Sequence, residues 1–217
     1  MNFFAHGSPH ADEPYFLAGT AVPDWLNVVD RKIRVRIRHA TLFAEHTDPV
    51  ISAVAKGVLR HHQDDDWFHR TRAFAELSLQ FTVQIRDALD PDDGLRCHFL
   101  GHILVELLLD SELIAEKPDL LEGYYDALKN IDARRLADAV TLMSGRRADG
   151  LAYLIPRFIS ERFLCDYGQD EKLLMRLNQV MRRVRLDPLP DRFLQVLPGA
   201  RQNVRNRRNE LLDPLMA

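Results

Sequence analysis

Apolar residues recur at helical spacing along most of the chain, and prolines and short polar stretches separate these segments. After Asp48-Pro49, the apolar residues Val50, Val54 and Val58 are four positions apart, as on one face of an α-helix. Aspartate is a favoured N-cap and proline a favoured first helical residue, so we expect this helix to start at Asp48. The pattern predicts further helices at about 74–89, from the Pro91-Asp92-Asp93-Gly94 break to about 115, and at about 119–130, 132–143, 150–167 and 170–185.

The segment from Pro23 to Ala40 has two possible interpretations. Its apolar positions follow helical spacing, but residues 32–38 also alternate between basic and apolar, as in a strand. No partner strand is predicted nearby, so we interpret the segment as a helix. An arginine-rich helix closes the chain after several prolines. We therefore expect an all-α helical bundle in which residues 1–217 form a single domain.

Two of these segments carry metal-ligand residue types at every fourth position. A step of four residues keeps side chains in one slanting stripe along a helix face. The first stripe consists of His61, Asp65 and His69, and the second of His98, His102, Glu106 and Asp110. Two such stripes on facing helices would bring imidazoles and carboxylates to one point, so we expect a site for one or two divalent metal ions.

The second stripe lies in a segment that is apolar in nearly every other direction. A helix of this kind is normally buried, and buried histidine or glutamate needs a hydrogen-bond partner or a cation. The alternative is a solvent-facing stripe on an ordinary amphipathic helix. The first stripe, with Asp64 and Asp66 pointing away from it, would indicate a solvated helix end if it stood alone. Together, the two stripes favour metal binding.

Composition is that of a soluble globular protein, with 46% hydrophobic and 28% charged residues among 217. No apolar run reaches the length of a membrane span, and the first residues lack the features of a signal peptide. Cys97 and Cys165 are too few for a disulfide framework. We therefore expect a cytoplasmic protein that does not bind membranes.

The net charge of −3 gives no indication of nucleic-acid binding, but arginines are concentrated between residues 176 and 208. Guanidinium groups suit bidentate contacts with phosphate or carboxylate. The region is either a solvated face or a docking surface for an acidic or phosphorylated partner. In the second case, we expect Arg182 and Arg183 to contact that partner. The sequence does not indicate an oligomeric state.

Several short motifs, in order along the chain, resemble the acyl-carrier-protein phosphodiesterases, which are all-helical metal-dependent hydrolases related distantly to the HD-domain superfamily. Near the start, the similar residues are the stretch from Met1 to His6, Phe16-Leu17-Ala18-Gly19 and Pro23-Asp24. Later ones are Gly57-x3-His61-x3-Asp65, His98-Phe99-Leu100, Leu164-x2-Tyr167 and Leu177-Asn178-x2-Met181-x-Arg183.

The resemblance implies that five residues belong to a metal site: His6, Asp24, His61, Asp65 and His98. It implies an HD-domain-like helical fold, a divalent ion and an acyl carrier protein as substrate. Cys97 and His69 stand where the family has aspartates, and the chain contains no adjacent His-Asp pair. The roles of His102 and Glu106 rest on the helix-face argument alone.

These features favour a metal-dependent phosphodiesterase that releases 4′-phosphopantetheine from a holo carrier protein. A divalent ion makes bound water more acidic and neutralises charge on the phosphoryl oxygens, and the mixed ligands suit Mn²⁺, Fe²⁺ or Zn²⁺. We expect Glu106 or Asp110 to transfer protons or to orient a ligand histidine. One alternative is a phosphohydrolase acting on nucleotides or other small phosphoesters. Another is a hemerythrin-like bundle that binds metal without hydrolysis.

Overall fold

The computed structural model describes residues 1–89 and 97–216. Within these ranges all regular elements are helical, which confirms the predicted all-α class, and none of the helices is long and apolar enough to cross a lipid bilayer. The α-helices are α1 (Phe3–Gly7), α2 (Pro14–Val29), α3 (Ile37–Ala40), α4 (Pro49–Phe68), α5 (Arg72–Ala88), α6 (Cys97–Glu116), α7 (Pro118–Lys129), α8 (Ala133–Ser144), α9 (Gly150–Glu161), α10 (Asp170–Arg183) and α11 (Leu197–Leu211).

Most of the predicted helix boundaries are confirmed. Asp48 caps α4, since its carboxylate Oδ1 accepts a hydrogen bond from the backbone N–H of Val50 at 2.8 Å. Helix α6 ends at Glu116, just before Pro118. The predicted chain break at Pro91–Gly94 lies outside the described residues.

The predicted helix from Pro23 to Ala40 is wrong. Pro23 lies inside α2, and residues 30–36 are not helical, so that only the short α3 follows. In this segment Ile33 and Val35 are buried, whereas the basic residues between and beside them are exposed. The alternation of apolar and basic residues therefore belongs to a non-helical segment with one side buried. It pairs with no strand among the described residues, and the carbonyl oxygen of Val35 lies 2.9 Å from Nε2 of His62.

The helices pack as two compact units. The first, here called the C-terminal unit, comprises Met1 with residues 66–116 and 164–217. Helices α5 and α6 lie side by side in it, and α11 packs against both. A Cβ atom at Gly101 of α6 would lie only 2.6 Å from the carbonyl oxygen of Ser78 on α5. The missing side chain at Gly101 thus allows the two backbones to approach closely.

The arginines of α11 form intramolecular ion pairs with this unit. Arg205 contacts Glu112 at 2.7 Å, Arg207 contacts Glu76 at 2.6 Å, and Arg208 pairs with Glu116. Arg201 binds Asp170 at 2.7 Å as well as the Ser111 hydroxyl and the Tyr167 carbonyl. This part of the arginine-rich region therefore holds α11 against neighbouring helices.

The second unit, here called the N-terminal unit, comprises residues 2–65 and 117–163. Helix α2 packs against α1, α7 and α9, and aromatic residues such as Phe3, Trp25 and Phe158 fill the core. Helices α2 and α4 meet at two glycines. A Cβ at Gly57 would lie 2.2 Å from the Phe16 carbonyl oxygen, and one at Gly19 would lie 2.5 Å from the Val54 carbonyl oxygen. This backbone-to-backbone contact sets the position of the next turn of α4.

Candidate metal centres

Histidine and carboxylate side chains come together in two groups of three among the described residues. His6, His61 and Asp65 form one group, in the N-terminal unit, and His69, His102 and Glu106 form the other, in the C-terminal unit. Within each group the three ligand atoms lie within 4.8 Å of one another. We call the first the buried group, because its two imidazoles are at most 5% exposed, and the second the open group.

The glycine contact between α2 and α4 positions His61 of the buried group. One turn after Gly57, Nδ1 of His61 lies 2.9 Å from the carbonyl oxygen of Thr20, the residue after Gly19. A carbonyl can only accept a hydrogen bond, so Nδ1 must be the donor. In the neutral ring Nε2 then carries the lone pair, and it lies 3.3 Å from Oδ2 of Asp65.

His6 reaches the same carboxylate from α1. Its Nε2 atom lies 3.3 Å from Oδ1 of Asp65, and its ring centroid lies 4.2 Å from that of His61. This Nε2 atom is buried, and no residue that the structure describes forms a regular hydrogen bond with it. On the other side of the ring, Nδ1 lies 3.4 Å from Oδ2 of Asp64, and the Arg60 guanidinium holds Oδ1 of Asp64 at 2.8 Å.

The charged side chains of the buried group act strongly on one another. Burial alone would lower the pKa of His6, but the carboxylates of Asp64 and Asp65 outweigh it and raise that pKa to about 9. Burial favours a raised pKa for Asp65, but the contacts with His6 and His61 hold it well below its usual range. Without a cation, a proton on His6 therefore balances the buried negative charge. A divalent ion would meet the same electrostatic need.

The open group combines a residue just beyond α4 with two residues of α6. Helix α4 ends at Phe68, and His69 Nε2 lies 2.8 Å from Oε1 of Glu106. His102, one turn before Glu106, places its Nε2 3.3 Å from the same oxygen. The imidazoles of His69 and His102 are 31% and 38% exposed, whereas the carboxylate of Glu106 is 16% exposed.

Glu106 carries the negative charge at the centre of the open group. Burial would raise its pKa, but the amino group of Met1, 3.3 Å from Oε1, together with His102 and His69, holds that pKa well below its usual range. Glu106 is therefore a carboxylate with three nitrogen neighbours.

Three other residues that were predicted as metal ligands or catalytic residues lie in neither group. His98 is exposed, Asp24 is half-buried in α2, and Asp110 is completely buried in α6. The prediction that the whole second stripe is buried is wrong for His98 and also for His102, whose imidazole is 38% exposed, because the first turns of α6 are only partly covered and Phe99 is itself only half-buried. Arg182 and Arg183, at the end of α10, are both exposed.

The groups that orient the buried group were not predicted from the sequence. Asp64 was expected to point away from the stripe, but it is buried and contacts His6. Spacing along α4 gives no information on contacts with other helices, and Asp64 lies beside His6 of α1. The Thr20 carbonyl is a backbone group, so no residue type could have indicated its role.

No family model, curated protein or solved structure matches this chain. The chemistry of the two groups therefore carries the functional argument.

Proposed function

We propose that the protein is a metal-dependent phosphodiesterase in which His6, His61 and Asp65 hold a divalent ion. One observation carries the proposal. Both imidazoles have Nδ1 beside an oxygen, from Asp64 or from the Thr20 carbonyl, and direct Nε2 towards Asp65. Metal-binding histidines commonly have this arrangement, because a hydrogen bond at one ring nitrogen fixes the orientation of the other.

The separations of the donor atoms fit such an ion. Each Nε2 lies 3.3 Å from an oxygen of Asp65. Donors bound at about 2.1 Å around a four- to six-coordinate ion are themselves roughly 3 Å apart, so small shifts would suffice for binding. Two imidazoles and a carboxylate suit Mn²⁺, Fe²⁺ or Zn²⁺ better than Mg²⁺ or Ca²⁺, which prefer oxygen ligands.

The exposed part of the group is the carboxylate. Asp65 is 30% exposed although both histidines are buried, so a substrate would approach from the side of Asp65. A bound ion would supply Lewis acidity towards a phosphoryl oxygen and lower the pKa of a water molecule. The contribution of the chain is to orient the two rings through Asp64 and Thr20 and to shield them from solvent.

The substrate that we propose is a holo acyl carrier protein, from which hydrolysis would release 4′-phosphopantetheine. The order of the short motifs from the stretch before His6 to Arg183 supports this substrate. Carrier proteins that dock through acidic surfaces would be attracted by exposed guanidinium groups, and Arg182 and Arg183 are exposed at the end of α10. Hydrolysis of nucleotides or other small phosphoesters is the alternative.

Substitution of adjacent aspartates on α4 tests the proposal. Asp65→Asn should lower the rate of hydrolysis of bis(p-nitrophenyl) phosphate by about a thousandfold or more, because it weakens metal binding and removes a negative charge from the site. Asp66→Asn is the matched control, since Asp66 is exposed and pairs only with Arg70 among the residues described. Full activity of Asp65→Asn, or of chelator-treated wild type, would contradict the proposal. Comparing this substrate with a phosphopantetheinylated carrier distinguishes the two substrate classes.

A further inference from the structure

We propose that the open group is a second metal site, which binds a transition-metal dication through Nε2 of His69, Nε2 of His102 and the carboxylate of Glu106. The inference does not depend on hydrolytic activity. It concerns residues of the C-terminal unit only, whereas the proposed phosphodiesterase site uses residues of the N-terminal unit.

The geometry of the three donors supports a shared ion. Both Nε2 atoms face Oε1 of Glu106, at 2.8 Å and 3.3 Å, and the two imidazole centroids are 4.8 Å apart. The contacts are also local. His102 and Glu106 are one helical turn apart, so their spacing follows from α6 itself, and only His69 comes from another segment.

Aromatic packing holds both rings in place. The ring of Phe74 lies 4.7 Å from that of His69 and 4.8 Å from that of His102, in edge-to-face contacts. The ring of Phe68 also packs against that of His69, at 5.4 Å between centroids. Rings fixed in this way lose little conformational entropy when they bind an ion. The site is therefore preorganised without requiring hydrogen bonds at the far side of each ring.

The types of donor define which ions fit the site, and the exposure of the donors defines whether a bound ion can exchange with solvent. Two imidazoles and one carboxylate favour borderline ions such as Zn²⁺ and Co²⁺ over Mg²⁺ and Ca²⁺. Because both rings are about a third exposed, water can complete the coordination shell and the ion can exchange with solvent. The amino group of Met1 contacts the same oxygen of Glu106, so an ion would compete with that contact.

The test is the number of Zn²⁺ ions bound per chain, measured on tag-free full-length protein with a competing chelator. Wild type should bind two. His102→Ala and Glu106→Gln should each bind one, with affinity for the lost ion reduced by more than about tenfold, whereas His61→Ala should lose the other ion. His98→Ala is the matched control, one turn earlier on α6 and in neither group, and should still bind two.

The outcomes separate this inference from the proposed function. One ion that is lost in His102→Ala but retained in His61→Ala would support the open site and contradict metal binding by the buried group. Stoichiometry equal to wild type in both His102→Ala and Glu106→Gln would overturn the inference. Circular dichroism of each variant checks that the helical fold persists, and Glu106→Gln removes a charge with little change of shape.

Discussion

The buried and open groups contain the same types of donor, two imidazoles and one carboxylate, but their surroundings differ. In the buried group, polar atoms of Thr20 and Asp64 lie beside the far nitrogens of the rings. In the open group, the ring of Phe74 packs against both imidazoles. The surroundings of the buried group thus control the tautomer and basicity of its imidazoles. Those of the open group mainly fix the positions of its imidazoles and leave them accessible to solvent. The same three donors would therefore suit the proposed hydrolysis in the buried group and exchangeable ion binding in the open group.

We expect the largest difference between the two groups when the glycine contact that positions His61 is disrupted. Gly57→Ala places a Cβ where the Phe16 carbonyl oxygen lies 2.2 Å away, and backbone atoms of two helices can relieve that clash only by moving apart. We expect a loss of about 3 kcal/mol or more in the free energy of unfolding, measured by urea denaturation. Binding by the buried group should weaken, while the open group should keep its ion.

Gly123→Ala is the control for that variant. A Cβ at Gly123, inside α7 of the same unit, would meet nothing within 4 Å. Alanine is the better helix former by about 1 kcal/mol, so this substitution should leave stability unchanged or raise it. Equal stability of the two variants would show that the close helix contact is not a constraint.

The second prediction concerns the pH dependence of the metal-free protein. The pKa of His6 is raised to about 9, above the usual 6.5, so its contribution to stability is fully present below pH 6.5 and lost as the pH rises through 9. The loss over this range should be on the order of 3 kcal/mol, measured by denaturation at several pH values. The free energy of unfolding of His6→Gln should depend less on pH over this range. Metal binding by the buried group should strengthen over the same range, because the proton must leave His6.

An unchanged profile in His6→Gln would contradict this account of the charge balance. The open group provides the internal reference. Its two histidines share the single carboxylate of Glu106, whereas His6 lies between the carboxylates of Asp64 and Asp65, so the gain in metal affinity that proton loss from His6 causes is expected in the buried group alone. When metal is bound, the part of the pH dependence of stability that His6 causes should disappear.

The smallest effect should come from Arg60, which acts on His6 only through Asp64. Arg60→Gln removes the 2.8 Å contact with Asp64, so the carboxylate that orients His6 becomes less fixed. We expect metal affinity of the buried group to fall by about tenfold or less, measured by chelator competition, with the open group unaffected. Arg70→Gln, which breaks the exposed pair with Asp66, should change neither group. An equal change in both variants would indicate a general effect of charge.

Helical spacing predicted the pairs within each helix but not the assembly of the groups. The i, i+4 pairs His61–Asp65 and His102–Glu106 are both present, since such pairs depend only on local geometry. His69 was expected to continue the first stripe, but α4 ends at Phe68 and the helical period no longer applies. A local pattern cannot predict which segments meet in space.

The first residues of the chain illustrate the same limit. Nothing in the periodicity of α1 indicates that His6 contacts Asp64 and Asp65, and only the resemblance implied a metal role for it. Asp24 and His98, which the resemblance also implied, lie outside both groups. All-α class, by contrast, followed from apolar spacing along the whole chain, which many residues determine together.

The contact between Gly19 and Gly57 also bears on how selective the buried group would be for ion size. Side chains between helices can change rotamer and let a cavity expand, but two backbones in direct contact leave nothing to rearrange. The Thr20 carbonyl, which lies beside Nδ1 of His61, is thus fixed in position, and the His61 ring has little freedom to move. Any adjustment of the buried group to ions of different size would therefore fall to Asp65 and to His6 of α1.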